Sequence, residues 1–128
     1  MLVGDDVSQF RSAVGSLMYV ATDQPEVQQA AAAAARGMQS PTMLDLWRLK
    51  RAVRYLIGRG PVAAVYTLAE VLSVLETHVD SDWAGDIRSR RSTSGGLVRL
   101  AGAWIQSWSR LQTVTALSSA EAEYYALT

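Results

Sequence analysis

The chain of 128 residues carries twelve basic and twelve acidic side chains, so its formal net charge is zero and no overall field attracts nucleic acid. Hydrophobic residues make up 49% of the sequence, enough for one modest core or for one domain and part of another. The lack of cysteine excludes disulfides and thiolate ligands, and a single histidine, His78, excludes a multi-histidine zinc site. With no signal peptide and no apolar stretch of membrane-spanning length, the sequence predicts an intracellular protein without a membrane partner.

The first part of the chain, residues 8–59, has the apolar spacing of three helices. Ser8 is the expected N-cap of the first helix, and Asp23 opens the second, which ends at about Gly37. The first helix has an apolar stripe of Phe10, Val14, Leu17, Met18 and Ala21.

The third predicted helix opens at Ser40-Pro41 and ends near Gly58 or Gly60. Its predicted buried stripe consists of Leu46, Leu49, Val53, Leu56 and Ile57. Much of its remaining surface is basic, with Arg48, Lys50, Arg51 and Arg54, and this surface is a candidate for following the phosphates of a nucleic acid.

From residue 61 the sequence becomes rich in β-branched and aromatic residues. It predicts strands over residues 62–68, 74–80, 95–100 and 104–108, followed by a helix after residue 115. The tryptophans of this part, Trp83, Trp104 and Trp108, are interpreted mainly as sheet-packing residues, with base stacking as the alternative.

An acidic cluster lies at the end of the second predicted strand. Asp80 and Asp82 point to the same side of a strand, so both are candidate ligands for Mg²⁺, although Asp82 also suits a turn before Trp83. Asp86 suits the same turn. The arginines that follow, Arg88, Arg90 and Arg91, either hold phosphates beside the acidic cluster or form a solvated loop.

The last predicted helix carries two glutamates that its geometry separates. With Ser118 as N-cap, Glu121 completes a capping box by accepting a hydrogen bond from the Ser118 backbone N–H. Glu123 has no such local role and lies about 200° away around the helix. We therefore expect Glu123, rather than Glu121, to serve a site shared with the acidic strand end.

Five short segments together resemble the copia-type retrotransposon polyproteins. Asp-Ser-Asp-Trp-Ala-Gly-Asp at 80–86, Arg-Arg-Ser-Thr-Ser-Gly at 90–95 and Leu-Ser-Ser-Ala-Glu-Ala-Glu-Tyr at 117–124 are similar to their ribonuclease H domain. Residues 11–19 and 50–56 resemble the segment that links reverse transcriptase to that domain. The match covers nearly the whole chain in order.

This resemblance implies a site and a reaction. Asp80 matches the first catalytic carboxylate of the family and Glu123 the second, and these residues hold Mg²⁺ or Mn²⁺ for cleavage of the RNA strand of an RNA–DNA hybrid. The implied partners are the hybrid and the remainder of the polyprotein, in the cytoplasm or nucleus or in a virus-like particle.

The resulting fold prediction is an α+β chain with two parts. Residues 1–60 form a helical connection segment, and residues 61–128 form an incomplete ribonuclease H-like domain of three antiparallel strands and the first helix. The family's further carboxylates lie beyond residue 128, so this chain is expected to bind metal weakly and to be catalytically incomplete. The alternative is a non-enzymatic helical–β interaction or nucleic-acid-binding domain with surface acidic residues.

Overall fold

The computed structural model describes residues 1–66 and 74–128. The helices and strands of these residues follow in the order α1 (Asp5–Ala21), α2 (Pro25–Arg36), α3 (Met43–Arg59), β1 (Leu75–Ser81), β2 (Thr93–Leu100), β3 (Ala103–Leu111) and α4 (Ser119–Ala126). The predicted α+β class is confirmed. The chain divides into two compact units, Met1–Ala63 with the first three helices and Ala64–Thr128 with the sheet and α4.

The helical unit is built around one apolar core. From α1, Phe10, Val14 and Leu17 are buried, as the helical spacing of these residues predicts. Met18, expected in the same stripe, is 47% exposed. Helix α2 contains a run of alanines, and alanine has the highest helix propensity of any residue type. The small alanine side chains let α1 and α2 lie close together, with Ala31 and Ala34 buried.

The starts of the three helices differ from the predicted ones. α1 begins three residues before Ser8, with Gly4 at the N-cap, where a positive φ of 59° suits glycine. α2 has Gln24 at its N-cap without a side-chain bond, so Asp23 does not cap it. α3 is capped by Thr42, whose hydroxyl accepts the Asp45 N–H while Asp45 accepts the Thr42 N–H, a complete capping box.

This capping box changes the buried face of α3. Asp45 is turned inward and buried, and Leu49 and Ala52 continue the buried row. Val53 and Ile57, predicted to be buried, are exposed, Ile57 by 75%. Leu46 and Leu56 pack partly buried against the core, so the predicted stripe is confirmed at these positions and at Leu49 and is wrong at Val53 and Ile57.

The sheet of the second unit is antiparallel with strand order β1-β2-β3. Asp80 on β1 lies opposite Gly95 on β2, which in turn lies opposite Ser109 on β3. β2 and β3 are joined by the two residues Ala101 and Gly102, with φ angles of 49° and 80°. Positive φ at both central residues is the geometry of a type I′ hairpin, which matches the twist of the strands.

Two neighbouring glycines on β2 have opposite surroundings. A side chain at Gly96 would coincide with the indole ring of Trp108, which lies over this glycine from the opposing strand. A side chain at Gly95 would meet only the Trp108 carbonyl oxygen, at 3.9 Å. Because successive residues face opposite sides of a sheet, the indole fills the space on one face and the other face is open beside Asp80.

One predicted strand is not present in the described residues. Of the predicted strand at 62–68, residues 62–66 are not in a strand, and residues 67 and 68 lie outside the described residues. The other three predicted strands are confirmed, with bounds that differ from the predicted ones by at most three residues. Within the described residues, no helix has the length and apolar character needed to cross a bilayer.

The hairpin yields a first prediction. Alanine in the left-handed conformation costs about 1 kcal/mol, and asparagine tolerates that conformation better. We expect Ala101→Asn to stabilise the sheet unit by about 0.5–1 kcal/mol, measured by chemical denaturation followed by tryptophan fluorescence. Ala103→Asn, outside the positive-φ pair, is the matched control and should give no gain; equal effects of the two changes would contradict the strain at Ala101.

The two glycines yield a second prediction. Gly96→Ala should destabilise the sheet unit by about 1–3 kcal/mol because the added methyl group displaces the Trp108 indole. Gly95→Ala, with the same chemical change one residue away, should be neutral or slightly stabilising. Adding Trp108→Leu to Gly96→Ala should recover part of the loss. An equal cost for both alanines would show that the indole does not fill this space.

Candidate functional site

The candidate site lies where β1 ends, and Asp82 closes the turn that follows. The Asp82 backbone N–H donates to the Thr93 carbonyl at 3.1 Å, and the Asp82 carboxylate accepts the Thr93 N–H. The same carboxylate fills the space that a side chain at Gly85 would need. The contacts of Asp82 are therefore those of a turn residue, one of the two interpretations that the sequence left open.

A second turn presents the basic residues. The Asp86 carboxylate accepts the Ser89 backbone N–H at 2.9 Å and the Ser89 hydroxyl, as expected of a turn aspartate. The Arg90 N–H donates to the Asp86 carbonyl at 2.7 Å, and Arg90 has a φ of 58°. Arg88, Arg90 and Arg91 are exposed on this turn, between β1 and β2.

Helix α4 is fixed to the sheet by a buried glutamine. The Gln112 side-chain amide donates to the Ser94 hydroxyl at 2.9 Å and to the Ala122 carbonyl at 2.8 Å, so it joins β2 to α4. Its backbone N–H donates to the Ser92 carbonyl at 2.8 Å. Ala122 is fully buried, because an alanine lets the helix backbone approach the sheet closely.

The loop before α4 is held by Trp83. Its indole N–H donates to the Ala116 carbonyl at 3.2 Å. Trp83 is otherwise half exposed, at 56%. The acidic turn and the start of α4 are thereby connected on the same side of the unit.

Docking of α4 brings Glu123 to the end of β1. The Glu123 carboxylate accepts the backbone N–H of Ser81 at 3.3 Å. The backbone N–H groups of strand residues alternate in direction, and that of Asp82 points toward β2, so that of Ser81 points to the free edge of β1. Glu123 therefore lies at this edge, beside the residue that follows Asp80 in the chain, and both acidic side chains are exposed.

Glu121 has a different set of contacts. Ser118 is the N-cap, as predicted, and its hydroxyl accepts the Glu121 N–H at 3.2 Å. The Glu121 carboxylate, however, accepts the N–H of Leu117 at 2.7 Å and not that of Ser118, so the predicted capping box is wrong by one residue. The Tyr125 hydroxyl donates to the other carboxylate oxygen at 3.2 Å.

The oxygen donors at the strand end suit a hard cation such as Mg²⁺ but are few. No group of three or more histidine, cysteine, aspartate or glutamate side chains in the described part of the chain is arranged to hold a metal ion. Two carboxylates fit an ion that keeps most of its water ligands and is bound weakly.

The predicted basic residues lie on different units. Arg48, Arg51 and Arg54 are exposed on α3 of the helical unit, whereas the arginines of the turn belong to the sheet unit with Asp80 and Glu123. Only the second group shares a compact unit with the acidic residues.

Comparison with known proteins places the chain among transposon polyproteins. The Retrovirus-related Pol polyprotein from transposon TNT 1-94 of Nicotiana tabacum is 36% identical over 93% of this chain. The uncharacterized mitochondrial protein AtMg00810 of Arabidopsis thaliana is 38% identical over 95% of it. The chain belongs to the copia-type retrotransposon polyproteins.

The relatives that the chain matches differ greatly in length. The chain spans 9% of the transposon polyprotein and 50% of the mitochondrial protein. A third relative, named Secreted RxLR effector protein 161, of Plasmopara viticola, is 37% identical over 92% of this chain and 83% of its own length. No family model matches the chain, and no solved structure does.

For this polyprotein segment, sequence reasoning missed the residues that position α4. Gln112 and Ser94 are polar and lie 18 residues apart, and no local pattern links them. The one available signal is that a glutamine directly follows β3, in a position that turns out to be 7% exposed. The N–H groups of a buried side-chain amide need acceptors, so such a residue marks a junction between elements, although the Gln112 Oε1 has no partner among the described residues.

The Glu121–Tyr125 pair yields a third prediction. The hydrogen bond to Glu121, and then its negative charge, raise the pKa of Tyr125 above the ordinary 10.0. The neutral phenol is thus favoured in the fold, and this contribution to stability is present below pH 10 and is lost as the pH rises through the folded-state pKa. We expect Glu121→Gln to lower the pKa of Tyr125 toward its ordinary value in an ultraviolet titration.

The control for this titration is Tyr124→Phe, which removes the neighbouring ionisable hydroxyl without touching Glu121 and should leave most of the shift. Tyr125→Phe identifies the signal among the five tyrosines. A pKa of Tyr125 that does not change in Glu121→Gln would contradict the assignment of the cause.

Proposed function

We propose that this chain contributes the first half of a ribonuclease H-like nuclease site, with Asp80 and Glu123 as its two carboxylates. The single observation that carries the proposal is the Glu123–Ser81 hydrogen bond, because it brings a glutamate from α4 to the residue next to Asp80 across 42 positions of sequence. The three-stranded sheet followed by a helix is compatible with the opening of such a domain. Residues 1–60 are then the connection to the reverse transcriptase part.

The chemistry follows from the donor set. Asp80 and Glu123 would hold Mg²⁺ or Mn²⁺, which supplies activation of water and stabilisation of charge in phosphodiester hydrolysis. The Ser81 N–H fixes the direction of the Glu123 carboxylate. Asp82 contributes to the position of Asp80 by closing the turn, since its own carboxylate is bonded to Thr93.

The proposed substrate is an RNA–DNA hybrid, with the RNA strand cut. Arg88, Arg90 and Arg91 are exposed on the turn that follows β1, and we propose that they pair with phosphates near the carboxylates. The open face of the sheet beside Asp80, at Gly95, leaves room for a backbone to approach.

We further propose that this segment alone binds the hybrid and the ion without efficient cleavage. Two carboxylates leave an ion mostly hydrated, and a second divalent ion close by would be repelled by the first. The remaining ligands would come from other parts of the polyprotein. The second candidate function, a nucleic-acid-binding module without catalysis, is favoured by the small donor set among the described residues.

The experiment is a Mn²⁺ titration followed by NMR, because the paramagnetic ion broadens amide signals close to it. We expect the Ser81 and Asp80 signals to broaden first, and Asp80→Asn or Glu123→Gln to weaken the affinity about tenfold or more. Glu76→Gln is the matched control, since Glu76 is also exposed and on the same face of β1 as Asp80. Broadening that is equal in all variants, or that is absent in the unsubstituted chain, would refute the metal site.

A cleavage assay on a labelled RNA–DNA hybrid separates the two parts of the proposal. We expect no cleavage above background by the chain with Mg²⁺ or Mn²⁺. Cleavage that disappears in both Asp80→Asn and Glu123→Gln would support the carboxylates and overturn the incompleteness of the segment.

A further inference from the structure

Strand β1 forms one edge of the three-stranded sheet, so half of its backbone groups face away from β2. The N–H of Asp82 donates to Thr93 on β2, and the direction of the backbone groups alternates along a strand. The groups that point to the free edge are therefore those of four alternate residues, Leu75, Thr77, Val79 and Ser81. Glu123 binds the last of these N–H groups, and within residues 1–66 and 74–128 the other three have no partner.

This edge lacks the features that commonly protect an edge strand from pairing. Strand β1 contains neither proline nor lysine, and it pairs with β2 residue by residue without a bulge. The opposite edge differs, because β3 has an extra residue, Ile105, where its register with β2 shifts. Leu75 on β1 is 66% exposed. The β1 edge is therefore the one that is open to the addition of a strand.

We propose that β1 pairs with β1 of a second copy of this chain. The two strands run antiparallel about a two-fold axis, because a symmetric dimer brings the same surface of both copies together. Two three-stranded sheets, one from each copy, then form one sheet of six strands. Backbone hydrogen bonds across the axis satisfy the free N–H groups, and the exposed apolar side chains at the edge are covered.

The free part of the edge determines the register of this pairing. Pairing needs residues whose backbone groups face outward, and Glu123 already binds the N–H of Ser81. The three residues that remain are centred on Thr77, so the axis passes beside Thr77, and Leu75 lies opposite Val79 of the second copy. An axis at Val79 would need the N–H of Ser81 and is therefore disfavoured.

The side chains of β1 suit the same register. Glu76 lies opposite His78 of the second copy, twice by symmetry, so a carboxylate meets an imidazole that can donate to it. Thr77 meets Thr77 of the second copy, which is a favourable cross-strand pair. An axis at His78 would instead place Glu76 opposite Asp80, and an axis at Glu76 would place Glu76 opposite itself. Like charges directly opposite each other are destabilising, so the axis at Thr77 is preferred.

The test is disulfide trapping in the full chain, which contains no cysteine of its own. In the proposed register the two Thr77 Cα atoms lie about 5.5 Å apart, within the range of a disulfide. Thr77→Cys should therefore form a covalent dimer under mild oxidation. Val79→Cys is the matched control, because its two copies lie about 14 Å apart along the paired strands. A mixture of Leu75→Cys and Val79→Cys chains should crosslink, although neither variant does so alone.

A second measurement follows the non-covalent dimer by analytical ultracentrifugation from micromolar to millimolar concentration. The edge of seven residues is short, so we expect a weak dimer whose fraction rises with concentration. Thr77→Pro removes one outward N–H from each copy and leaves the bonds to β2 intact, so it should lower the association constant by about tenfold or more. Ser109→Pro removes an outward N–H from β3 at the opposite edge and should leave association unchanged. Circular dichroism of both variants excludes loss of folding.

Three outcomes would overturn the inference. One is a chain that stays monomeric up to millimolar concentration, and another is equal crosslinking of Thr77→Cys and Val79→Cys. The third is association that Ser109→Pro weakens as much as Thr77→Pro, which would remove the contact from the β1 edge. The dimer does not rest on the metal site, so Asp80→Asn should leave association unchanged. A failed metal titration and a failed dimer are therefore distinguishable.

Discussion

The sheet unit depends on the way helix α4 is held against it. Gln112 is the central contact, because a single buried amide group bonds a strand side chain and a helix carbonyl at once. Leaving the two amide N–H groups without acceptors would cost about 1–3 kcal/mol, so these bonds fix one position of the helix along the sheet. The position matters for function, since it carries Glu123 to the edge of β1. A shift of one helical residue would turn that carboxylate away by about 100°.

The small side chains around this contact have a common physical basis. Ala122 is fully buried and Ala126 nearly so, which lets the helix approach the sheet closely. On β2, Gly96 has no side chain, so the Trp108 indole from the neighbouring strand fills this space and covers the sheet there. Gly95, one residue earlier, leaves the opposite face open next to Asp80. One face of β2 is therefore packed against the indole, and the other face is open to solvent beside Asp80.

Much of this fold could be predicted from local patterns, and the exceptions have physical causes. Alternating side chains identified β1 and an N-cap serine identified the start of α4, since both signals lie within a few residues. On α3 the predicted burial of Leu49 is confirmed, but Val53 and Ile57 are exposed and Asp45 turns inward to cap the helix, which apolar spacing does not reveal. The role of Gln112 was not predicted because its partners lie 10 and 18 residues away. At the candidate site, the separation of Glu121 from Glu123 followed from helix geometry, but the bond to Ser81 required the tertiary structure.

The Glu123–Ser81 bond connects stability with the proposed chemistry. One carboxylate oxygen of Glu123 accepts the Ser81 N–H at 3.3 Å. It satisfies a backbone group at a free sheet edge, where an open N–H would otherwise invite pairing with another chain. On the proposed function, the second oxygen would be the ligand, and its direction is set before any ion arrives. Removing the charge with glutamine keeps the shape of the side chain and a carbonyl for the N–H, so its effect on metal binding can be measured with little change in the fold.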